Sequence, residues 1–382
     1  MEYGFSTRAI RAGQTPDPVT GAVVPPLYLT STFVQDGVGR MRGDYEYSRA
    51  GNPTRTAAAT QLAALEQGTC AFITGSGMSA ADLALRTALR PGGRVILGQD
   101  AYGGTTRLLT QVLESWGIET VITDPCGSQR LEEVLARPVT GGQLVWVETP
   151  SNPLLHVCDI AAVAQQAHAH GARVVVDNTF ASPYLQNPLA LGADVVVHST
   201  TKYLGGHSDL VGGAIVVNDD DLAERLTFLQ NAAGYVSSPF DAWLLIRGMK
   251  TLSVRMDRHC ANAGAVAAFL DQHPRVSRVH YPGLESDPGH DVATRQMRAY
   301  GGMVSFHVAG GREESIRVAS ATKVFLLAES LGGVESLVEH PAAMTHASVE
   351  GTASAVDDDL LRLSVGIEDI DDLIADLDRA LG

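Results

Sequence analysis

Between Cys70 and Val217, short apolar runs alternate with stretches of helical period. The runs are "CAFITG", "RVILG", "ETVIT", "QLVWVET", "RVVVDN", "DVVVHS" and "GAIVV", and each reads as a buried strand. Helical segments separate most of them, at Met78–Leu89, Thr105–Trp116 and Ile160–His170. Strands alternating with helices imply right-handed crossovers and a mostly parallel sheet covered on both faces. Ahead of this region, "TRTAAATQLAALEQG" predicts a helix from Thr54, with Gly68 as its stop. Residues 1–48 are rich in Pro, Gly and Thr, and "PDPVTGAVVPP" cannot continue a helix, so an extended arm is expected. After Trp243 the pattern loosens. A long helical stretch, "AWLLIRGMKTLSVRMDRHCANAGAVAAFLDQ", precedes a mixed region with strands such as "GGMVSFHV". An acidic amphipathic helix with Ile370, Leu373, Ile374 and Leu377 on one face closes the chain. At 382 residues the chain exceeds the usual single-core size. The expected division is an arm at 1–48, a large α/β domain at 49–243 and a smaller α+β domain at 244–382.

Composition narrows the classes of function. A net charge of −15 argues against a nucleic-acid or anionic-membrane surface, which needs clustered positive charge. No run approaches a membrane span, and "MEYGFSTRAI" lacks a signal-peptide pattern, so a cytoplasmic protein is expected. Cys70, Cys126, Cys158 and Cys260 are scattered, which points to buried thiols and not to a disulfide framework or zinc site. His168 and His170 end a helical stretch, where they suit the helix dipole better than a metal; no metal site is expected.

The chain has only three lysines, Lys202, Lys250 and Lys323, among 28 basic residues. Arginine stays protonated, whereas lysine can lose its proton and act as a nucleophile toward a carbonyl. Lys202 stands in "VVVHSTTKYLGGHSD", just past a predicted strand end. Ligands bind beyond the carboxyl ends of open parallel sheets. Asp177 ends "VVVD" one strand–helix–strand step earlier, and "FITGSGMSA" places Gly75, Ser76 and Gly77 between a strand and a helix. Such a turn presents N–H groups to an anion, though it lacks the dinucleotide G-x-G-x-x-G spacing. Lysine for an aldehyde, acid for a pyridinium and cradle for a phosphate together suit pyridoxal phosphate. Ser199 and Thr201 flank the lysine as further hydroxyl donors.

The stretch "DNTFASPYLQNPLALGADVVVHSTTKYLGGHSDLVGG" resembles the signature of the Cys/Met-metabolism family of pyridoxal-phosphate enzymes. "YSRAGNPTR", "VETPSNP", "ESLGGVESLVEHPAAMTHAS" and "RLSVGIE" occur in that family's order, and the likeness covers nearly the whole chain. The resemblance implies the fold type I architecture of such enzymes, with Lys202 as the residue that binds the cofactor covalently. It implies Asp177 at the ring nitrogen, Tyr102 stacked on the ring, and Asn152 near the ring hydroxyl. Gly77 and Met78 N–H groups, with the Ser199 and Thr201 hydroxyls, would hold the phosphate. Tyr47 and Arg49 would reach the phosphate of a neighbouring subunit, which implies a homo-oligomer, a tetramer built from dimers that share active sites. Arg362 would hold the carboxylate of a small amino-acid substrate, with Asn152 and Ser330 beside it.

Within the family, methionine γ-lyases carry cysteine where this chain has Gly104, and they lack an acid at the position of Glu46. Glu46 resembles the acid that receives the distal ammonium of cystathionine, and Glu329 is a second acidic candidate. Either acid is otherwise an ordinary surface carboxylate. The expected activity is that of a cystathionine γ-lyase, which forms cysteine, 2-oxobutanoate and ammonia. A γ-synthase, which replaces the activated group of a homoserine ester by cysteine, is the alternative. A methionine γ-lyase, or a pyridoxal-binding protein without turnover, fits less well, since Tyr102 and Arg362 are both present.

Overall fold

The structure is a computed structural model, and it describes residues 3–126, 129–345 and 356–382. The arm is not uniformly extended. A helix α1 (Phe5–Arg11) opens it, and a small hairpin of β1 (Gln35–Gly37) and β2 (Arg40–Met41) interrupts an otherwise irregular path. Helix α2 (Pro53–Glu66) follows, with Asn52 accepting from the Thr54 N–H at 2.9 Å and Pro53 in the first turn, where no N–H is needed. Its C-terminus departs from expectation. Gln67, not Gly68, takes the left-handed conformation at φ 59°. Gly68 answers a different demand, because a Cβ there would lie 2.3 Å from Val216 Cγ1.

All seven apolar runs form one sheet. They are β3 (Cys70–Thr74), β4 (Arg94–Leu97), β5 (Glu119–Ile122), β6 (Gln143–Glu148), β7 (Arg173–Asp177), β8 (Val195–Ser199) and β9 (Gly213–Val217). Their spatial order is β3-β9-β8-β7-β6-β4-β5. Pairing is parallel except that β9 runs antiparallel to both β3 and β8, so β3 still points the same way as β4 to β8. The strands are apolar on both faces because both are covered. Val175, Val195, Val197 and Ile215 pack on one side, while Val196, Ala214 and Val216 join another cluster with Leu62 and Leu65 of α2. Removing each such side chain from water is worth about 1.5–3 kcal/mol.

Helix α3 (Gly77–Ala88) leaves the end of β3, and Ser76 caps it by accepting from the Ser79 N–H at 3.0 Å. The helix expected at 105–116 is broken into an α segment Gly103–Arg107, a π segment Leu108–Leu113 and a 3-10 turn Glu114–Trp116. The long helical stretch after Trp243 is likewise two helices, Pro239–Met249 and Leu252–Asp271, divided at Lys250 and Thr251.

A second sheet holds β10 (Val276–His280), β11 (Met303–Val308), β12 (Leu326–Leu327), β13 (Leu337–Glu339) and β14 (Leu360–Ser364), in the order β10-β11-β14-β13-β12. The closing helix Ile370–Leu381 buries Leu373 and Leu377 in the same cluster as Phe306 and Leu363. Two expectations need adjustment. Cys126 is exposed, so not all four thiols are buried. His168 and His170 meet side-chain carboxylates, Asp194 at 2.9 Å and Glu132 at 2.8 Å. Among the described residues no helix is long and apolar enough to cross a membrane.

Candidate active site

The carboxyl ends of β3, β4, β6, β7 and β8 converge on one cavity of about 280 Å³. Its walls hold Ser76, Gly77 and Met78 from the start of α3, Tyr102 after β4, and Asn152 after β6. Asp177, Ser199, Thr201 and Lys202 come from the ends of β7 and β8, and Glu329, Ser330 and Arg362 close the site from the second sheet. Eleven expected site residues therefore meet here: Gly77, Met78, Tyr102, Asn152, Asp177, Ser199, Thr201, Lys202, Glu329, Ser330 and Arg362.

Lys202 donates from Nζ to Ser330 Oγ at 2.7 Å. Ser330 adopts φ 91°, a region that side chains rarely occupy, and the conformation accompanies its hydroxyl's contact with the amine. Burial, reinforced by the nearby Arg362 charge, lowers the amine to a pKa of about 8, with Glu339 and Glu329 opposing. A substantial neutral fraction near neutrality is what nucleophilic or basic duty requires.

Asp177 accepts from the Thr179 N–H at 3.0 Å, and burial nonetheless raises its pKa. Its in-register neighbour on β6 is Glu148, whose pKa burial and then Asp177 push up to about 8. Glu148 accepts from the Tyr102 N–H at 2.8 Å and from Trp146 Nε1 at 3.3 Å, so it anchors the turn that carries Tyr102. Nothing in its sequence setting had marked it beyond its place in "VETPSNP".

Arg362 is 3% exposed and heavily engaged. It donates to Asn152 Oδ1 at 2.8 Å and to the Ser330 carbonyl at 2.9 Å, and pairs with Glu339 at 2.7 Å. Glu339, 1% exposed, also accepts from Thr345 Oγ1 at 2.9 Å; sequence reasoning missed it because "EHP" reads as any loop. The Arg362 Nε remains a buried donor without a protein acceptor among the described residues. Thr201 lines the cavity, but its hydroxyl is turned to Gly212, donating to the carbonyl at 3.3 Å and accepting from the N–H at 3.1 Å.

Three expected residues lie away from this cavity. Arg49 donates to the Asn231 carbonyl at 2.6 Å and Oδ1 at 3.0 Å, and stacks 5.7 Å from the Tyr47 ring. Tyr47 and Glu46 are exposed on the arm. The motif "ESLGGVESLVEHPAAMTHAS" ends at residues 346–348, outside the described residues. A separate group, His307, Asp357 and Asp359, brings ligand-type atoms within 4.8 Å of one another. Its histidine is already engaged, by Asp359 at 2.7 Å and by His280 at 3.0 Å.

The cavity fits pyridoxal phosphate on several independent grounds. A buried carboxylate such as Asp177 is destabilised as a charge and is relieved by a cation, which a protonated ring nitrogen supplies. The first N–H groups of α3 have no partner within the helix and suit a phosphate. A Cβ on Gly77 would come within 2.8 Å of Ser199 Cβ, so the cradle is shaped by the missing side chain. A mostly parallel sheet with a buried amine, an acid and an anion cradle at its carboxyl edge defines a pyridoxal-phosphate-dependent enzyme of fold type I. More particularly, the chain belongs to the Cys/Met metabolism PLP-dependent enzymes, whose family pattern matches residues 6–382. A cystathionine gamma-synthase of Mycobacterium tuberculosis is 58% identical over 379 residues, covering 99% of this chain and 97% of that protein. A cystathionine gamma-lyase of Dictyostelium discoideum is 49% identical over 382 residues, covering 99% and 98%. The crystal structure of cystathionine gamma synthase from Xanthomonas oryzae pv. oryzae in complex with cystathionine has a TM-score of 0.96 at 46% identity, covering 100% of this chain and 98% of that one.

Proposed function

We propose that this enzyme replaces the γ-substituent of an activated homoserine ester by cysteine, forming cystathionine. The observation that carries amino-acid chemistry on pyridoxal phosphate is the meeting of the Lys202 amine, the Asp177 carboxylate and the Arg362 guanidinium in one cavity. The order of the readings follows the relatives: the γ-synthase at 58% identity stands above the γ-lyase at 49%, which reverses the preference drawn from sequence.

Bound pyridoxal phosphate supplies an electron sink for charge developing at the amino-acid α-carbon. Lys202 would hold the cofactor, Asp177 its ring nitrogen, Tyr102 its ring face, and Gly77, Met78 and Ser199 the phosphate, joined by Thr201 when its hydroxyl turns from Gly212. Arg362, fixed by Asn152 and Glu339, binds the substrate α-carboxylate with its remaining donor. Lys202 Nζ, when not holding the cofactor, would take the α-proton and move protons between the α- and β-carbons, as a base with a pKa near 8 can. The Tyr102 hydroxyl serves the departing γ-group. Glu329, in the cavity wall, and Glu46, brought by the arm of a neighbouring subunit, would receive the distal ammonium of cystathionine. A side chain at 104 would require Tyr102 and Met78 to shift, since a Cβ there would meet Tyr102 Cε1 at 2.4 Å and Met78 Sδ at 3.0 Å.

The γ-lyase reading remains second, favoured by the 49% identity over the whole chain. Product analysis separates them. With an O-acylated homoserine plus cysteine, cystathionine should form at least tenfold faster than cystathionine alone yields 2-oxobutanoate and ammonia. The opposite ratio would replace the first reading by the second.

A further inference from the structure

Behind the cavity, on the other face of the large sheet, sits a buried polar cluster that the chemistry above leaves unused. Glu66, the last residue of α2, and His198 of β8 are both 0% exposed. Glu66 Oε1 lies 2.6 Å from His198 Nε2 and accepts from Asn178 Nδ2 at 2.7 Å, while Oε2 lies 3.4 Å from Asn187 Nδ2. The carboxyl group of Glu66 thus faces two amide N–H donors and the imidazole ring of His198, all in the core. Such a group is costly in a core unless fully paired, so its presence calls for a reason beyond packing.

The position of its partners supplies one. Asn178 directly follows Asp177 at the end of β7, and His198 directly precedes Ser199 at the end of β8. The ladder between those strands stops at Asp177 opposite Val197, with one further bond from the Asn178 N–H to the Val197 carbonyl at 3.0 Å. Beyond that point a single carboxylate braces both strand ends from behind. On the cavity side, Thr179 completes the brace by donating its N–H to Asp177 Oδ1 and accepting from the Ser199 N–H at 2.9 Å. We propose that Glu66 and His198 are positioning residues that set Asp177 relative to the Ser199–Lys202 segment, and thereby fix the cofactor ring between them. The inference rests on the reading of this cavity as the pyridoxal-phosphate site.

Glu66→Gln keeps the shape but replaces one acceptor by a donor, and Asn178→Ala cuts the tie to β7 while sparing the Glu66–His198 contact. Wild-type protein and both variants would be titrated with pyridoxal phosphate, followed by visible absorbance, and assayed. Borohydride reduction with peptide mapping first establishes that the wild type carries the cofactor on Lys202; failure there refutes the site, not this brace. Misplacement of ring-holding groups by a fraction of an ångström costs on the order of tenfold or more. Both folded variants should therefore bind the cofactor about tenfold more weakly, show an altered visible band, and lose kcat with little change in the amino-acid KM, which Arg362 sets from the opposite wall. Cofactor affinity and spectrum equal to wild type, or a loss divided equally between kcat and KM, would overturn the proposal. So would failure of both variants to fold, which would make the cluster a core support only.

Discussion

At Lys202 the surroundings of one amine decide when it can react. Burial and Arg362 bring it to about 8, so its neutral form grows as pH rises through that value. The rate at which apoprotein captures pyridoxal phosphate should rise with pH to a plateau, with a midpoint near 8. In Arg362→Gln the midpoint should move up while burial still holds it below the ordinary lysine value, because the guanidinium charge no longer adds to burial against Glu339 and Glu329. Stopped-flow absorbance across pH tests both; a wild-type midpoint near the ordinary lysine value would refute the lowered amine. The same shift has a stability sign. Between pH 8 and the unfolded lysine value the native state binds fewer protons than the unfolded one, so this group's contribution is full above that window and lost as pH falls through 8. Lysine scarcity made Lys202 legible in the sequence. Glu148, Glu339 and Glu66 were not, because a buried, paired carboxylate looks identical to a solvated one until the fold brings its partners from distant segments.

Among the elements, the start of α3 carries the phosphate proposal. Gly77 sits so close to β8 that a methyl group there would meet Ser199 Cβ at 2.8 Å and Cα at 3.1 Å, and a backbone atom cannot swing aside. Overpacking of this kind costs ~1–3 kcal/mol, and Gly77→Ala should accordingly bind pyridoxal phosphate on the order of tenfold or more weakly. A spectral titration giving an unchanged Kd would show that the cradle does not depend on this close approach. The seven strands of the large sheet were readable because burial on both faces leaves uninterrupted apolar runs. Their direction was less so: the antiparallel entry of β9 depends on the short "TKYLGGHSDLVG" return, which carries no crossover helix. Period alone also joined the helices divided at Lys250 and Thr251, since the apolar positions continue across the break. The short strands β12 and β13 were invisible because two or three residues hold no period at all.

For the molecule as a whole, the unexplained feature is the arm. Val19, Val23, Leu29, Val34, Val38 and Met41 are all exposed, an apolar surface that a lone chain would not keep in water without a purpose. Tyr47 and Arg49 lie on the same arm, away from their own cavity, with Arg49 held by Asn231. We propose that a second copy covers this surface and receives Tyr47 and Arg49 at its phosphate cradle, so that a complete site exists only in a dimer. Mixing inactive variants tests the arrangement directly. In a mixed dimer of Arg49→Ala and Lys202→Ala subunits, the cavity with the intact lysine would draw its arginine from the other chain, and one of the two sites would work. Random exchange of equal amounts should then restore about a quarter of wild-type activity. If each chain instead used its own Arg49, every site in the mixture would lack one group. Proven mixed oligomers without recovery at any ratio would therefore return the arm to its own subunit.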